Sequence, residues 1–236
     1  MRAIPSALAA LLFAIAPAWA QSSRPARGDA DFDYFLLSLS VAPSFCATSS
    51  RNAATSECRD LTEAEFQQTP LTIHGLWPNR ARVSTNRQPR DCNGPPFALS
   101  GAVAAQLRRL MPGGPGLARY EWRKHGTCSG LDPDRYFAAE AMLAQSANET
   151  IGAAMLQQGA SVRIAELLQT VAASDPALAA AIVVDCRFSR GGGDALVQEI
   201  RVTLGKDLRP IPAASVGLGQ NSGCPAGAGH IPAVSR

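Results

Sequence analysis

The chain has 236 residues, a formal net charge of +3, 46% hydrophobic residues and only three histidines. That length suits one domain with a sizeable core, and no break in composition or internal repeat divides it. The charge does not by itself identify a nucleic-acid binder. Arginine makes up 20 of the 22 basic residues, and its planar fork suits phosphate, but an Ala- and Arg-rich composition also follows from genomic base bias.

The first residues carry one positive charge, Arg2, then a largely apolar stretch from Ala3 to Ala16, then Pro17-Ala18-Trp19-Ala20. This pattern predicts a cleaved export signal over 1–20 and a mature domain over 21–236. The competing reading, a membrane anchor, needs about 20 uninterrupted apolar residues, whereas Pro5 and Ser6 interrupt this stretch. Beyond Ala20 every hydrophobic run is punctuated by Arg, Asp, Pro or Gly, so the mature chain reads as soluble, with no membrane contact after cleavage. Six cysteines in an exported chain predict disulfides. None shows C-x-x-C spacing, which makes a structural zinc site a poor fit; no metal and no cofactor are expected.

Along the mature chain, 33–41 (DYFLLSLSV) reads as an inner strand that Pro43 ends. Cys46 to Cys58 reads as a polar surface loop that its own disulfide could staple; two unrelated half-bridges are the less economical alternative. Leu71-Thr72-Ile73-His74 alternates apolar with polar and predicts a half-buried strand stopping at Gly75 and Pro78, with His74 pointing away from the core alongside Thr72. Residues 81–96 form a long Arg-, Asn-, Gly- and Pro-rich loop tethered at Cys92. Helical spacing predicts helices over 99–111, 134–158 and 161–173, the last with Ser161 as a possible cap. Strands over 182–188 and 195–204 flank Gly191-Gly192-Gly193 as a hairpin, and a Gly- and Pro-rich tail follows, expected to be irregular and held by Cys224. These elements come in runs and do not alternate as βαβ units, which predicts an α+β fold with a central antiparallel sheet and several packed helices.

Two of the three histidines lie in tight motifs, His74-Gly75-Leu76-Trp77-Pro78 and Glu121-Trp122-Arg123-Lys124-His125-Gly126-Thr127-Cys128. If the second is helical, Glu121, Lys124, His125 and Cys128 share one face. Taken alone, that could be an amphipathic helix with a Glu–Lys ion pair and a surface histidine. With the separate strand-end His74, it becomes a pair of imidazoles, one neutral and one protonated near pH 6.5, equipped to take a proton from one oxygen and deliver one to another. Trp77 reads equally as a platform for a base and as core packing. Cys128 could be read as a nucleophile or metal ligand beside His125, but an oxidising compartment favours a disulfide. His230 lies in the tail and reads as a solvated surface residue, and the sequon Asn148-Glu149-Thr150 reads as helix.

The segments LTIHGLWPN at 71–79 and YEWRKHGTCSG at 120–130 resemble, in order, the two active-site segments of the ribonuclease T2 family. The likeness extends to the 32–58 strand and loop, the Cys92 loop and the late cysteines of bacterial periplasmic members. The resemblance implies a metal-independent endoribonuclease acting on single-stranded RNA and not on DNA, a monomer, periplasmic or secreted. His74 and His125 match the acid/base pair, Glu121 and Lys124 the supporting charges, and Trp77 a residue near the base. It implies that the 2′-hydroxyl attacks phosphorus, with His125 as base and His74 as acid, although the residue types alone leave that polarity open. Lys124 is expected to stabilise the phosphoryl oxygens, and Glu121 to orient His125 or raise its pKa. The resemblance also implies the pairing Cys46–Cys58, Cys92–Cys128 and Cys186–Cys224. Two positions depart from the family: Tyr120 stands where many members carry a phosphate-holding histidine, and Val41 where the first strand often ends in tryptophan. A catalytically silent RNA-binding protein and a secreted effector docking through the 46–58 loop are the alternatives on the same scaffold.

Overall fold

A computed structural model describes residues 31–189 and 192–234. The expected export signal over 1–20 and Gly191 of the hairpin turn lie outside the described residues. Strand β1 (Tyr34–Val41) runs through the middle of the sheet because its alternation serves two faces at once. Phe35, Leu37, Leu39 and Val41 enter the main core, while Tyr34 and Leu36 belong to a small apolar cluster on the opposite face. Ser38 and Ser40 share that second face and are buried polar positions.

The chain then makes α1 (Ala42–Thr48), α2 (Ser50–Ala53), α3 (Ser56–Asp60) and α4 (Glu63–Gln68). The segment between Cys46 and Cys58, expected as a loop, is therefore helical. Its Ser and Thr residues serve as N-caps: the Ser49 side chain accepts from the Asn52 N–H and Thr55 from the Cys58 N–H. Thr62 and Glu65 form a reciprocal capping box that starts α4.

Strand β2 (Leu71–Asn79) pairs antiparallel with β1 along its whole length. It passes through Gly75 and Pro78, where a stop was expected, because β2 is the edge strand and proline there interrupts no second ladder. After the 80–100 loop come α5 (Gly101–Leu110), α6 (Gly114–Lys124) and α7 (Pro133–Ala147), all packed against β2. A π-turn over 148–152 joins α7 to α8 (Ala153–Gln158). The turn aims Asn148 back at β2, where its side-chain amide donates to the Leu71 carbonyl and accepts from the Leu71 N–H.

The expected helix over 161–173 begins later than its Ser161 cap would place it. Ser161–Arg163 is strand β3, and α9 spans Ile164–Ala172. Next are α10 (Pro176–Ala181), β4 (Ile182–Phe188), β5 (Ala195–Leu204), β6 (Asn221–Ser222) and β7 (Ala228–His230). The tail is thus partly ordered into strands: β6 pairs parallel with β4, and β7 pairs with β3 and β5. The main path through the sheet is β2-β1-β5-β4-β6. The fold is α+β, largely antiparallel as expected, with the helices on the face that carries Phe35, Leu37 and Leu39. The other face carries Ser38, Ser40 and the small apolar cluster of Tyr34, Leu36 and Val216.

Candidate active site

A bulge sets His74. In the β1–β2 ladder Ser38 faces Gly75 and Leu39 faces Ile73, so His74 is the extra residue, and such an insertion re-aims its side chain. Its Nδ1 lies 2.7 Å from the Glu199 Oε1 on β5. Glu199 is buried and also accepts from the Ser38 hydroxyl at 2.9 Å and from the Arg201 Nε at 2.8 Å. Arg201 reaches on to Asp185 at 3.4 Å, and Asp185 takes Arg187 at 3.1 Å and the Ser222 hydroxyl at 2.7 Å. A hydrogen-bonded row of side chains therefore crosses the open face from β2 to β6.

Three residues further along β2, Trp77 stands between the two imidazoles. Its ring lies 5.1 Å from that of His74, edge-on, and 5.3 Å from that of His125. Its indole N–H donates to the Glu121 Oε2 at 2.8 Å. Gly75 makes this possible, since a Cβ there would collide with both the indole nitrogen and the Glu121 carboxylate. Trp77 is partly buried and lines a cleft.

Helix α6 delivers the second histidine at its end. His125 is the C-cap residue, outside helical geometry, with its N–H donating to the Glu121 carbonyl. The chain then turns over the Trp122 ring at Gly126, where a Cβ would strike that ring. Cys128 follows, tied to Cys92. All three disulfides join the expected partners and no cysteine is free, which removes Cys128 as a nucleophile or metal ligand. Lys124 lies 3.8 Å from Asp91, whose own N–H donates to the Lys124 carbonyl. The lysine's ion-pair partner is thus Asp91 and not Glu121.

The expected link from Glu121 to His125 is absent. The His125 Nδ1 is buried without a partner, and the Glu121 carboxylate is engaged with Trp77. Burial first, then the charges of Lys124 and His74, press the His125 pKa down to about 4. At His74 burial also works downward, but the hydrogen bond and charge of Glu199, helped by Glu121, outweigh it and raise the pKa. Burial would raise Glu199; its contacts with His74 and Arg201 win and hold it at about 2. Burial raises Glu121, and the His74 charge and the Trp77 N–H only partly offset that. The two imidazoles are thus driven toward opposite protonation states.

His125 and Trp77 line a cleft of about 820 Å³, and His74, behind Trp77, lies outside its lining. Residues of β1, β2, β4, β5 and β6 line it from the sheet, Tyr34, Leu36, Trp77 and Arg201 among them, and segments 80–90 and 216–219 line it as loops. Six cations border it, Arg80, Arg82, Arg90, Lys124, Arg187 and Arg201, and no carboxylate side chain does. Lys124, Arg187 and Arg201 are paired with carboxylates behind the lining, and the surface turned to the cleft is positive. Tyr120, expected at the substrate, is 46% exposed beneath the Arg123 guanidinium and outside this lining. His230 is in β7, also outside it. Among the described residues no group of three or more His, Cys, Asp or Glu side chains is arranged to hold a metal ion, and no helix is long and apolar enough to cross a membrane.

Sequence reasoning missed Glu199, Arg201, Asp185 and the arginines of the loops. A signal existed for the first two: in ALVQEIRVTL a carboxylate and a guanidinium two residues apart lie on one face of a mostly apolar strand.

The sequence pattern of the Ribonuclease T2 family matches residues 32–212. Ribonuclease I of Escherichia coli strain K12 is 35% identical over 150 residues, 51% of this chain and 56% of that protein. A ribonuclease of Aeromonas hydrophila is 34% identical over 114 residues, 48% of this chain and 46% of that protein. The chain thus spans about half the length of the curated relatives it matches. Among solved structures, ribonuclease MC1 from bitter gourd seeds superposes with a TM-score of 0.58 at 18% identity, covering 84% of this chain and 100% of that one. An RNase-related protein from Calystegia sepium gives 0.59 at 22% identity, covering 86% and 98%. At these identities the structures speak for the fold.

Proposed function

The chain belongs to the ribonuclease T2 family, and from that premise we propose that it is a metal-independent endoribonuclease of the periplasm or cell exterior, cutting single-stranded RNA with His125 as base and His74 as acid. The observation that carries this reading is the pair of imidazoles on either side of Trp77, pushed apart in pKa, with His125 and Trp77 lining a cleft bordered by cations.

In the first step neutral His125 takes the 2′-hydroxyl proton, and the 2′-oxygen attacks the adjacent phosphorus. The bond from phosphorus to the 5′-oxygen breaks, and the His74 imidazolium protonates that leaving oxygen. Lys124, pre-placed by Asp91, stabilises the charge that gathers on the phosphoryl oxygens. The product is a 2′,3′-cyclic phosphate and a free 5′-hydroxyl. In the second step the roles reverse: His74, now neutral, deprotonates water, and protonated His125 returns a proton to the 2′-oxygen, leaving a 3′-phosphate. Glu121 acts through Trp77, which it holds between the histidines, and through its charge on His74. Three disulfides suit an oxidising compartment.

The test is digestion of homopolymer RNAs and of single-stranded DNA by the purified protein in EDTA. RNA should be cut to cyclic phosphate ends and DNA left whole, because DNA lacks the nucleophile. Activity that vanishes in EDTA and returns with zinc or magnesium would overturn the metal-free chemistry.

A further inference from the structure

The polar row on the open face ends on a catalytic histidine, and its central carboxylate carries no exposed surface of consequence: Glu199 is 4% exposed. One of its oxygens receives the Ser38 hydroxyl and the Arg201 Nε, and the other faces the His74 Nδ1. Arg201 is in turn held by Asp185, which also takes Arg187 and the Ser222 hydroxyl. Burying a carboxylate in a strand carries a desolvation cost that an aliphatic residue would not, and the Ser38 hydroxyl, the Arg201 guanidinium and the His74 ring are the partners that offset it here. The bulge at His74 supplies the matching feature on the other side, turning one imidazole nitrogen toward β5.

We propose that Glu199 is a positioning residue for the acid step: it accepts the Nδ1–H of His74 and fixes the ring, so that Nε2 alone presents a proton to the departing 5′-oxygen. This rests on the reading of His74 as the acid. An imidazole has two nitrogens, and the partner of one decides which tautomer and which orientation the other presents. Here that partner is a carboxylate locked by a hydroxyl and a guanidinium, so His74 has one productive orientation and a negative charge to balance its protonated form. The groups bearing on His74 are Glu199 and Arg201 from β5, Glu121 from α6, Glu57 from α3, and His125 across Trp77. Of these only Glu199 touches the imidazole through a hydrogen bond.

The experiment compares two substrates. A dinucleoside phosphate needs its 5′-oxygen protonated, whereas a nucleoside 3′-(4-nitrophenyl phosphate) expels a phenolate that leaves without a proton. Glu199→Gln should slow the dinucleotide about 10-fold or more in kcat with KM little changed, and leave the aryl ester within about 3-fold, since only the proton donor is disturbed. The basic limb of the dinucleotide profile, which reports loss of the His74 proton, should move down by about one pH unit, because an adjacent negative charge has been removed. Should Glu199→Gln not fold by circular dichroism, Ser38→Ala frees the same carboxylate and should give the same selectivity at smaller amplitude. Equal slowing of both substrates by a folded variant, or an unmoved basic limb, overturns the assignment. His74→Ala is run beside it: if that variant cuts the dinucleotide at the parent rate, the acid role of His74 fails, a result separate from any failure of Glu199.

Discussion

Replacing His125 with Asn should change how stability depends on pH, by an amount the site geometry sets. In the folded protein His125 is partly buried with Nδ1 unpartnered, faces the charges of Lys124, His74 and Arg90, and has only Asp91 acting in its favour. Its pKa falls from 6.5 to about 4. The unfolded chain therefore takes up a proton on this residue near pH 6.5, and the folded chain only near 4. Between those values the unfolded state binds more protons, so the parent protein loses stability from this group as pH falls and regains it as pH rises. At about 1.4 kcal/mol per pH unit, the loss approaches roughly 3 kcal/mol once pH is below both values. His125→Asn removes that loss. Urea unfolding of parent and variant at intervals from pH 7 to pH 4, with the two subtracted to cancel the other titrating groups, should show the variant gaining about 2–3 kcal/mol on the parent across the window. A difference flat to within about 0.5 kcal/mol would mean that His125 charges as freely in the fold as outside it, and the base assignment would lose its physical ground.

Two further outcomes test other parts of the structure. Cys92→Ala with Cys128→Ala opens a link between residues 36 apart in sequence and should cost about 4 kcal/mol by chain entropy, read by denaturant unfolding, with activity falling as the end of α6 loosens. Glu140 is fully buried with neither carboxylate oxygen hydrogen-bonded, and burial followed by the charge of Glu121 holds its pKa well above the usual carboxylate range. The unfolded chain ionises this group near its ordinary pKa while the fold keeps it protonated, so its contribution is lost as pH rises. Glu140→Leu should raise stability by about 1–3 kcal/mol near pH 8 and by less near pH 4, measured by thermal melting; a destabilised variant at pH 8 would refute this.

What the sequence made legible was governed by range. β1 and the β4–β5 pair were visible because runs of aliphatic residues are bounded by proline or glycine close by in sequence, and α5 because apolar residues recur at helical spacing up to a Pro- and Gly-rich stop. His74, Lys124 and His125 stood out because their motifs are contiguous and histidine is scarce in this chain. The bulge that aims His74 was not legible, because it exists only in the register between β1 and β2. Glu199 was missed for the same reason: its meaning comes from a partner 125 residues earlier. The helices between 42 and 60 were hidden by their Ser, Thr and Asn content, which reads as loop until those side chains are seen to act as caps. β3 and β7 are three residues each and owe their form to each other, and no local window carries that.

The central claim, proton transfer by two histidines held in opposite states, is tested most directly by the pH dependence of RNA cleavage by the parent protein, His74→Ala and His125→Ala. The parent should show a bell-shaped profile of kcat/KM, with the acidic limb reporting His125 and the basic limb His74. Each variant, folded by circular dichroism, should be slowed by about 10²–10⁴-fold and lose the limb that belongs to the residue removed, while His230→Ala keeps both rate and profile. A His125→Ala protein that is folded and cuts RNA near the parent rate, with the acidic limb still in place, would contradict the account.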